Sequence, residues 1–219
     1  MSIMPLGHAS VAGQRVTFEN QIRGLAVVFG VRLPRGLSRG FAGQVINGSG
    51  GVAGLSGAMR GLLAARNAVL EAIAAINCDI RRLARSSEAC RRLMTIPGVG
   101  RLTALAFVAA IDGPDRFRTS RDVGPYLGLV PRRWKSGDID YTGSISKCGD
   151  RRVRTLLHEA ANVILTRYGG DLVLKEWALR IGKRSTMRKA RVALARRLAI
   201  IMHAMLRDGT EFQAARGVV

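Results

Sequence analysis

Apolar residues recur at helical spacing along most of this chain. Between about Arg15 and Phe29, the residues Val16, Ile22, Leu25, Ala26 and Phe29 fall near one side, which predicts a helix that Pro34 then stops. From Ala58 to Arg85, Leu62, Val69, Ile73, Ile76, Ile80 and Leu83 recur three and four apart, with Arg66 filling the one missing seam position. This short heptad pattern predicts helices packed side by side. It fits a coiled coil between two copies of the chain and an amphipathic helix lying on its own domain equally well. The apolar run Leu102–Ile111 predicts a further helix, broken by Asp112-Gly113-Pro114-Asp115. Ser120 is placed to cap a short helix ending near Leu127-Gly128. Helices return at Arg151–Tyr168, Asp171–Ile181 and Thr186–Arg207, and the tail 208–219 is expected to fray.

Two stretches break this rhythm. Residues 36–57 hold Gly36, Gly40, Gly43, Gly48, Gly50, Gly51, Gly54 and Gly57, a backbone freedom that opposes regular structure and predicts a flexible connector. Pro131–Asp150 is polar, contains glycine and reads as irregular; no strand-rich region and no internal repeat is predicted. The expected fold class is mostly α: a long linker or coiled-coil helix followed by a helical domain that contains a helix-hairpin-helix. The expected divisions are 1–35, the glycine-rich connector 36–57, a long coiled-coil-like helix 58–90, a helical domain 91–207 and the tail 208–219.

Composition supports helix over sheet. Aromatic residues are only 5% of the 219, while Ala, Leu, Val and Arg abound. Charge then changes the picture from fold to partner. A formal charge of +20 repels itself, and a polyanion relieves that repulsion while releasing counterions. Nucleic acid is the expected partner. Cys78, Cys90 and Cys148 are an odd number without a CxxC spacing, so they read as free thiols in a reducing compartment, not as a disulfide framework or zinc site. No apolar run approaches the ~20 residues that span a bilayer, and Met1–Ser10 lacks the pattern of a signal peptide. A cytoplasmic protein with no membrane partner is expected.

The segment Ile96-Pro97-Gly98-Val99-Gly100 sits between two predicted helices. Glycines at 98 and 100 would leave no side chain between the backbone amides and an approaching phosphate. The orphan N–H groups and positive dipole end of the following helix would point at that anion. Such a grip holds backbone and reads no bases. Pro97, Gly98, Val99 and Gly100 are therefore candidate DNA-binding residues; an ordinary turn between core helices is the plainer alternative.

Downstream lies a basic stretch with Arg116, Arg118, Arg121, Arg132, Arg133, Lys135, Lys147, Arg151, Arg152 and Arg154, interleaved with Trp134 and Tyr141, which could stack on bases or sugars. Ser136, Ser144 and Ser146 sit among these cations. A serine there suits phosphoryl transfer, because guanidinium groups neutralise charge building on phosphorus oxygens while the hydroxyl attacks. Serines that merely bond phosphate oxygens or turns would look the same by spacing. The last helix carries a basic stripe, including Arg188, Arg191, Arg196 and Arg197, that is either a solvated face or a second backbone contact.

Several pieces in order carry a family resemblance: Met94-Thr95-Ile96-Pro97-Gly98-Val99-Gly100, Tyr126-Leu127-Gly128-Leu129-Val130-Pro131, Lys135-Ser136-Gly137, and Ile145-Ser146-Lys147-Cys148-Gly149-Asp150-Arg151-Arg152-Val153-Arg154. This succession resembles the C-terminal domain of insertion-sequence transposases of the IS-one-ten type, relatives of the Piv DNA invertase. Asn20–Leu25 and Phe29–Pro34 resemble the helix that links the two domains of that family, so 1–35 would be a linker-helix remnant. The resemblance implies a serine nucleophile, for which Ser136 of Lys-Ser-Gly is the choice ahead of Ser144 and Ser146. It also implies a guide RNA as a further partner, while the basic stretch makes Arg132, Arg133, Lys135, Lys147, Arg151, Arg152 and Arg154 candidate DNA contacts and the heptad pattern predicts a homo-oligomer through the 58–85 helix.

The resemblance also implies a RuvC-like domain with a DEDD carboxylate set that binds magnesium. Glu19, Glu71, Asp79 and Glu88 are the only carboxylates before residue 96, too few and too scattered for a two-metal site. The expectation is an N-terminally truncated transposase that has no cofactor of its own, needs magnesium only with a RuvC-like partner domain, and binds DNA without cutting it.

Overall fold

The computed structural model describes residues 3–33, 40–50, 55–170 and 172–214. Helix dominates among them: α1 (Ile3–Val28), α2 (Phe41–Ser49), α3 (Leu55–Ser86), α4 (Glu88–Leu93), α5 (Arg101–Ile111), α6 (Val123–Tyr126), α7 (Arg151–Thr166), α8 (Val173–Arg184) and α9 (Met187–Asp208). The mostly α reading stands. Two compact units divide the chain, 3–79 and the residues from Ile80 onward, with the boundary inside α3.

In the first unit, Ile22 and Ala26 of α1, Phe41 and Val45 of α2, and Leu55, Met59 and Leu63 of α3 form one buried cluster. The glycine-rich stretch 36–57 therefore contains a helix and not only a connector. Phe41 and Val45 are four apart, and burying them outweighs the entropy that Gly43 and Gly48 lose in a helix. Residues 34–39 and 51–54 lie outside the described residues, as does the Pro34 stop. The α1 helix instead ends before Gly30 (φ +77), with the Val31 N–H bonded to the Ala26 carbonyl and the Gly30 N–H to Val27.

Arg66 is the odd residue in the heptad seam for a reason that spacing could not show. Its Nε lies 3.0 Å from Oε1 of Glu19, a carboxylate only 2% exposed, and its guanidinium covers the Phe41 ring at 5.0 Å. The seam is thus broken by an ion pair to α1. By length and mean hydropathy (1.2 over 18 residues) α3 could cross a bilayer, which the sequence reading had not allowed. Arg66 and Glu71 sit within it, and Leu55, Met59 and Leu63 are spent on α1 and α2. The long helix also stops earlier than residue 90: Ser87 caps α4 by accepting the Cys90 N–H.

In the second unit α9 is central. Leu194, Leu198, Ile201, Met202 and Met205 are buried, and α4, α6, α7 and α8 all pack against it. Among its buried residues is His203. Its Nε2 donates to the Pro114 carbonyl at 3.0 Å, so its Nδ1 accepts from the Ser120 hydroxyl, also at 3.0 Å. Ser120 is therefore committed to α9. The capping role belongs to Thr119, whose backbone N–H and hydroxyl both meet Asp122.

The largest departure lies at 131–145. Pro131–Ser136 (β1) and Ile139–Ile145 (β2) form an antiparallel hairpin where irregular chain was expected. Ser136 pairs with Ile139, leaving Gly137-Asp138 as a two-residue turn, with Gly137 at φ +55. The tail also departs from expectation. It runs on from α9 to donate the Phe212 N–H to the Thr95 hydroxyl at 3.0 Å, while 215–219 lie outside the described residues.

Candidate nucleic-acid interface

The turn 96–100 joins α4 to α5. Pro97 holds the second position and Gly98, at φ +81, the third, while the Val99 N–H closes on the Ile96 carbonyl at 3.1 Å; these are the features of a type II turn. Ile96 and Val99 are buried, as anchors of the turn. The two glycines divide the work. A Cβ on Gly98 would meet the Ala160 carbonyl oxygen at 2.7 Å and Ile164 Cγ1 at 3.2 Å, so this glycine faces α7 and not a ligand. Gly100 is exposed, has open space where a Cβ would go, and precedes α5 without any side-chain cap. Only Gly100 and the first amides of α5 suit an anion in the way the sequence suggested.

The β1–β2 hairpin is exposed along both strands. Alternate residues point to opposite faces, so Trp134, Ser136, Ile139 and Tyr141 share one face, while Arg133, Lys135, Asp140 and Thr142 share the other. Trp134 and Tyr141 are direct cross-strand partners with ring centres 5.7 Å apart. Arg133 binds Asp140 through both carboxylate oxygens, which holds that carboxyl below the usual carboxylate range and raises the guanidinium. Arg132 donates to the Ser146 carbonyl at 3.1 Å. Lys135 and Ser136 stand exposed near the tip, and the Ser136 hydroxyl has no protein partner among the described residues. Ser144 lies further down β2 and Ser146 just beyond it.

The hairpin is seated on two interlocked loops. The Lys147 N–H bonds the Gly128 carbonyl at 3.1 Å, and the Ser146 N–H bonds Val130 at 2.8 Å. Gly128 abuts the Cys148 backbone and Gly149 abuts the Tyr126 carbonyl so closely that neither position has room for a side chain. Lys147 takes φ +58, a left-handed backbone unusual for a residue other than glycine. Arg154 clasps the seat from α7, donating to the carbonyls of Leu127, Cys148 and Gly149. Arg154 thus braces the hairpin seat through its Nη1, a structural role that the sequence did not suggest. Arg151 is exposed and Arg152 half-buried at the start of α7, where Asp150 caps the first amides.

Among the described residues no hydrogen bond or ion pair joins 96–100 to the β-hairpin, so two separate contact regions result. Sequence reasoning missed the hairpin itself. The signal was present: Gly-Asp between Trp134 and the β-formers Ile139 and Tyr141 is a two-residue turn sequence. No group of three or more His, Cys, Asp or Glu comes together among the described residues. The described residues therefore do not bring together a carboxylate set of the DEDD kind for magnesium.

Residues 90–175, which span the turn and the whole hairpin, match the model of the transposase IS116/IS110/IS902 family. The chain is similar to insertion-sequence transposases. It is 33% identical over 197 residues to the transposase for insertion sequence element IS1111A of Coxiella burnetii, covering 88% of this chain and 54% of that protein. It is 29% identical over 222 residues to the transposase for IS1328 of Yersinia enterocolitica, covering 97% and 64%. A pilin gene-inverting protein of Moraxella bovis is 28% identical over 139 residues, covering 63% and 41%. The transposase-like chain spans between about half and two thirds of the length of the first two relatives.

Proposed function

We propose that this chain works in DNA recombination as part of an insertion-sequence transposase, holding DNA backbone and presenting Ser136 to it. The observation that carries this reading is the largely exposed hairpin, with Ser136 near its tip and Arg132, Arg133 and Lys135 on the same strand, inside the segment that matches the transposase family. The turn at 96–100 acts as a helix-hairpin-helix whose Gly100 end receives a phosphate. A cytoplasmic setting and DNA as substrate follow, and a guide RNA would find the same basic surface. The half-buried Val69, Ile73 and Ile76 of α3 give a second copy a place to pack.

Among the described residues no base is hydrogen-bonded to the Ser136 hydroxyl, so its activation draws on groups brought by bound DNA or by another domain, and metal-dependent cutting likewise needs carboxylates supplied from elsewhere. The test is recombination of an element's ends in cells that supply the remaining activities. Ser136→Ala should abolish strand exchange while DNA binding by the purified chain persists. Full recombination by Ser136→Ala would leave the chain a binding module and overturn the assignment of the serine.

A further inference from the structure

We infer that the face shared by Trp134 and Tyr141 is a stacking platform for unpaired DNA, which sets an unstacked nucleotide beside Ser136. This rests on the reading above that the chain grips DNA, and adds which state of DNA the hairpin takes.

Large apolar groups are displayed here, not buried. Trp134 is 53% exposed, Tyr141 62% and Ile139 71%, on a hairpin with no core beneath it. The indole is nevertheless held in place. It lies over Gly143, where a Cβ would meet its Cζ3 at 2.8 Å, with the Tyr141 ring tilted 32° beside it. One side of the indole is thus fixed by the hairpin backbone and the other is open to a flat partner. The cations of β1 show what partner that is. Arg132 and Lys135 lie on the same short strand, Lys135 on its other face, while Arg133 is paired with Asp140; the positive charge this leaves around the rings favours an occupant that is flat and carries negative charge. A duplex buries its base faces in its own stack, so only an unpaired strand offers both. Trp134 and Ser136 are two residues apart on one strand, about 6.6 Å. That is the scale of one nucleotide step, so a base on Trp134 leaves the adjoining phosphate near the serine hydroxyl.

The test uses the full chain with Trp177→Phe, which leaves Trp134 as the only tryptophan, titrated with oligothymidylate and with a duplex of equal length at one salt concentration. Oligothymidylate should quench the tryptophan emission and duplex should not. Trp134→Ala and Tyr141→Ala should each weaken single-strand binding about 5-fold or more and leave duplex binding unchanged. Gly143→Ala, which tilts the indole and keeps its chemistry, should weaken single-strand binding too, and Trp134→Phe should restore most of it. Binding of oligothymidylate without quenching, or equal losses on both DNAs, overturns the platform and leaves the DNA grip standing. Absence of any DNA binding overturns the grip itself. A preference of Trp134 for oligouridylate assigns the face to RNA, and dissociation of a DNA-free dimer by Trp134→Ala assigns it to a second copy; either result refutes the inference.

Discussion

Replacing Gly98 and Gly100 by alanine, one at a time, should give opposite results although the two glycines are two residues apart in one turn. At Gly98 the backbone sits at φ +81, a region that costs an L-residue about 1–2 kcal/mol. The new methyl would also meet the Ala160 carbonyl oxygen at 2.7 Å, and backbone in the middle of α7 cannot move aside as a side-chain tip can. Overpacking of that kind adds about 1–3 kcal/mol, for a total of about 2–5 kcal/mol. With a urea slope near 2 kcal/mol per molar, the unfolding midpoint should fall by about 1 M or more. Gly100 has φ −89 and empty space around it, so Gly100→Ala should stay within about 0.5 kcal/mol of the parent. Its effect should appear in DNA affinity, because the methyl stands beside the uncapped amides of α5. The assay is urea unfolding followed by helical circular dichroism, paired with duplex binding. Equal stability of the two variants would refute the division of roles; a stable Gly98→Ala that loses DNA alone would return both glycines to the phosphate.

Arg154→Ala removes the donor to three carbonyls and should lower stability by about 2 kcal/mol or more in a thermal melt. Retained stability with lost DNA affinity would show that it binds phosphate after all. Arg66→Ala leaves Glu19 buried beside Arg15, 3.9 Å away, without its 3.0 Å partner, and should cost about 3 kcal/mol; replacing Glu19 and Arg66 together by methionine should recover much of this, as read by urea midpoints. Burial, with a smaller contribution from Arg207, pushes the His203 pKa below its ordinary 6.5, against the pull of the Pro114 carbonyl, Asp208 and Asp115. The unfolded chain therefore binds the proton more readily. Stability contributed by neutral His203 is fully present above about pH 6.5 and is lost as pH falls through the depressed folded-state value. His203→Gln should flatten that decline in melts taken below pH 6.5, and an unchanged slope would place its origin elsewhere.

What could be read from sequence was whatever carried a period or a breaker. The helices of the second unit fell within a few residues of their observed bounds because their buried positions repeat three and four apart. Ile96–Gly100 was recognisable as a turn because Pro-Gly dictates one. The hairpin escaped because both its faces meet solvent, so no alternation of polar and apolar residues marks its strands; only Gly137-Asp138 betrays it. Phe41 and Val45 were hidden among glycines, since composition over a window outweighs two well-spaced apolar residues. Roles of single side chains were the least legible. Whether Arg154 reaches out to phosphate or back to Leu127, and whether Ser120 caps a helix or meets His203, depends on partners 27 and 83 residues away. Gly98 and Gly100 look alike in sequence, and only the position of α7 tells them apart.

The seat of the β-hairpin has a consequence for how such a protein can change over time. Gly128 and Gly149 each press on the other loop's backbone, so neither accepts any other residue without opening the joint. The strands above are solvated on both faces and are constrained by little beyond their turn and their cross-strand pairs. Variation should therefore accumulate in the blade and stop sharply at the socket. Blades from related sequences should be exchangeable between 131 and 145 on an unchanged mount, a natural route by which one scaffold acquires a new preference for DNA.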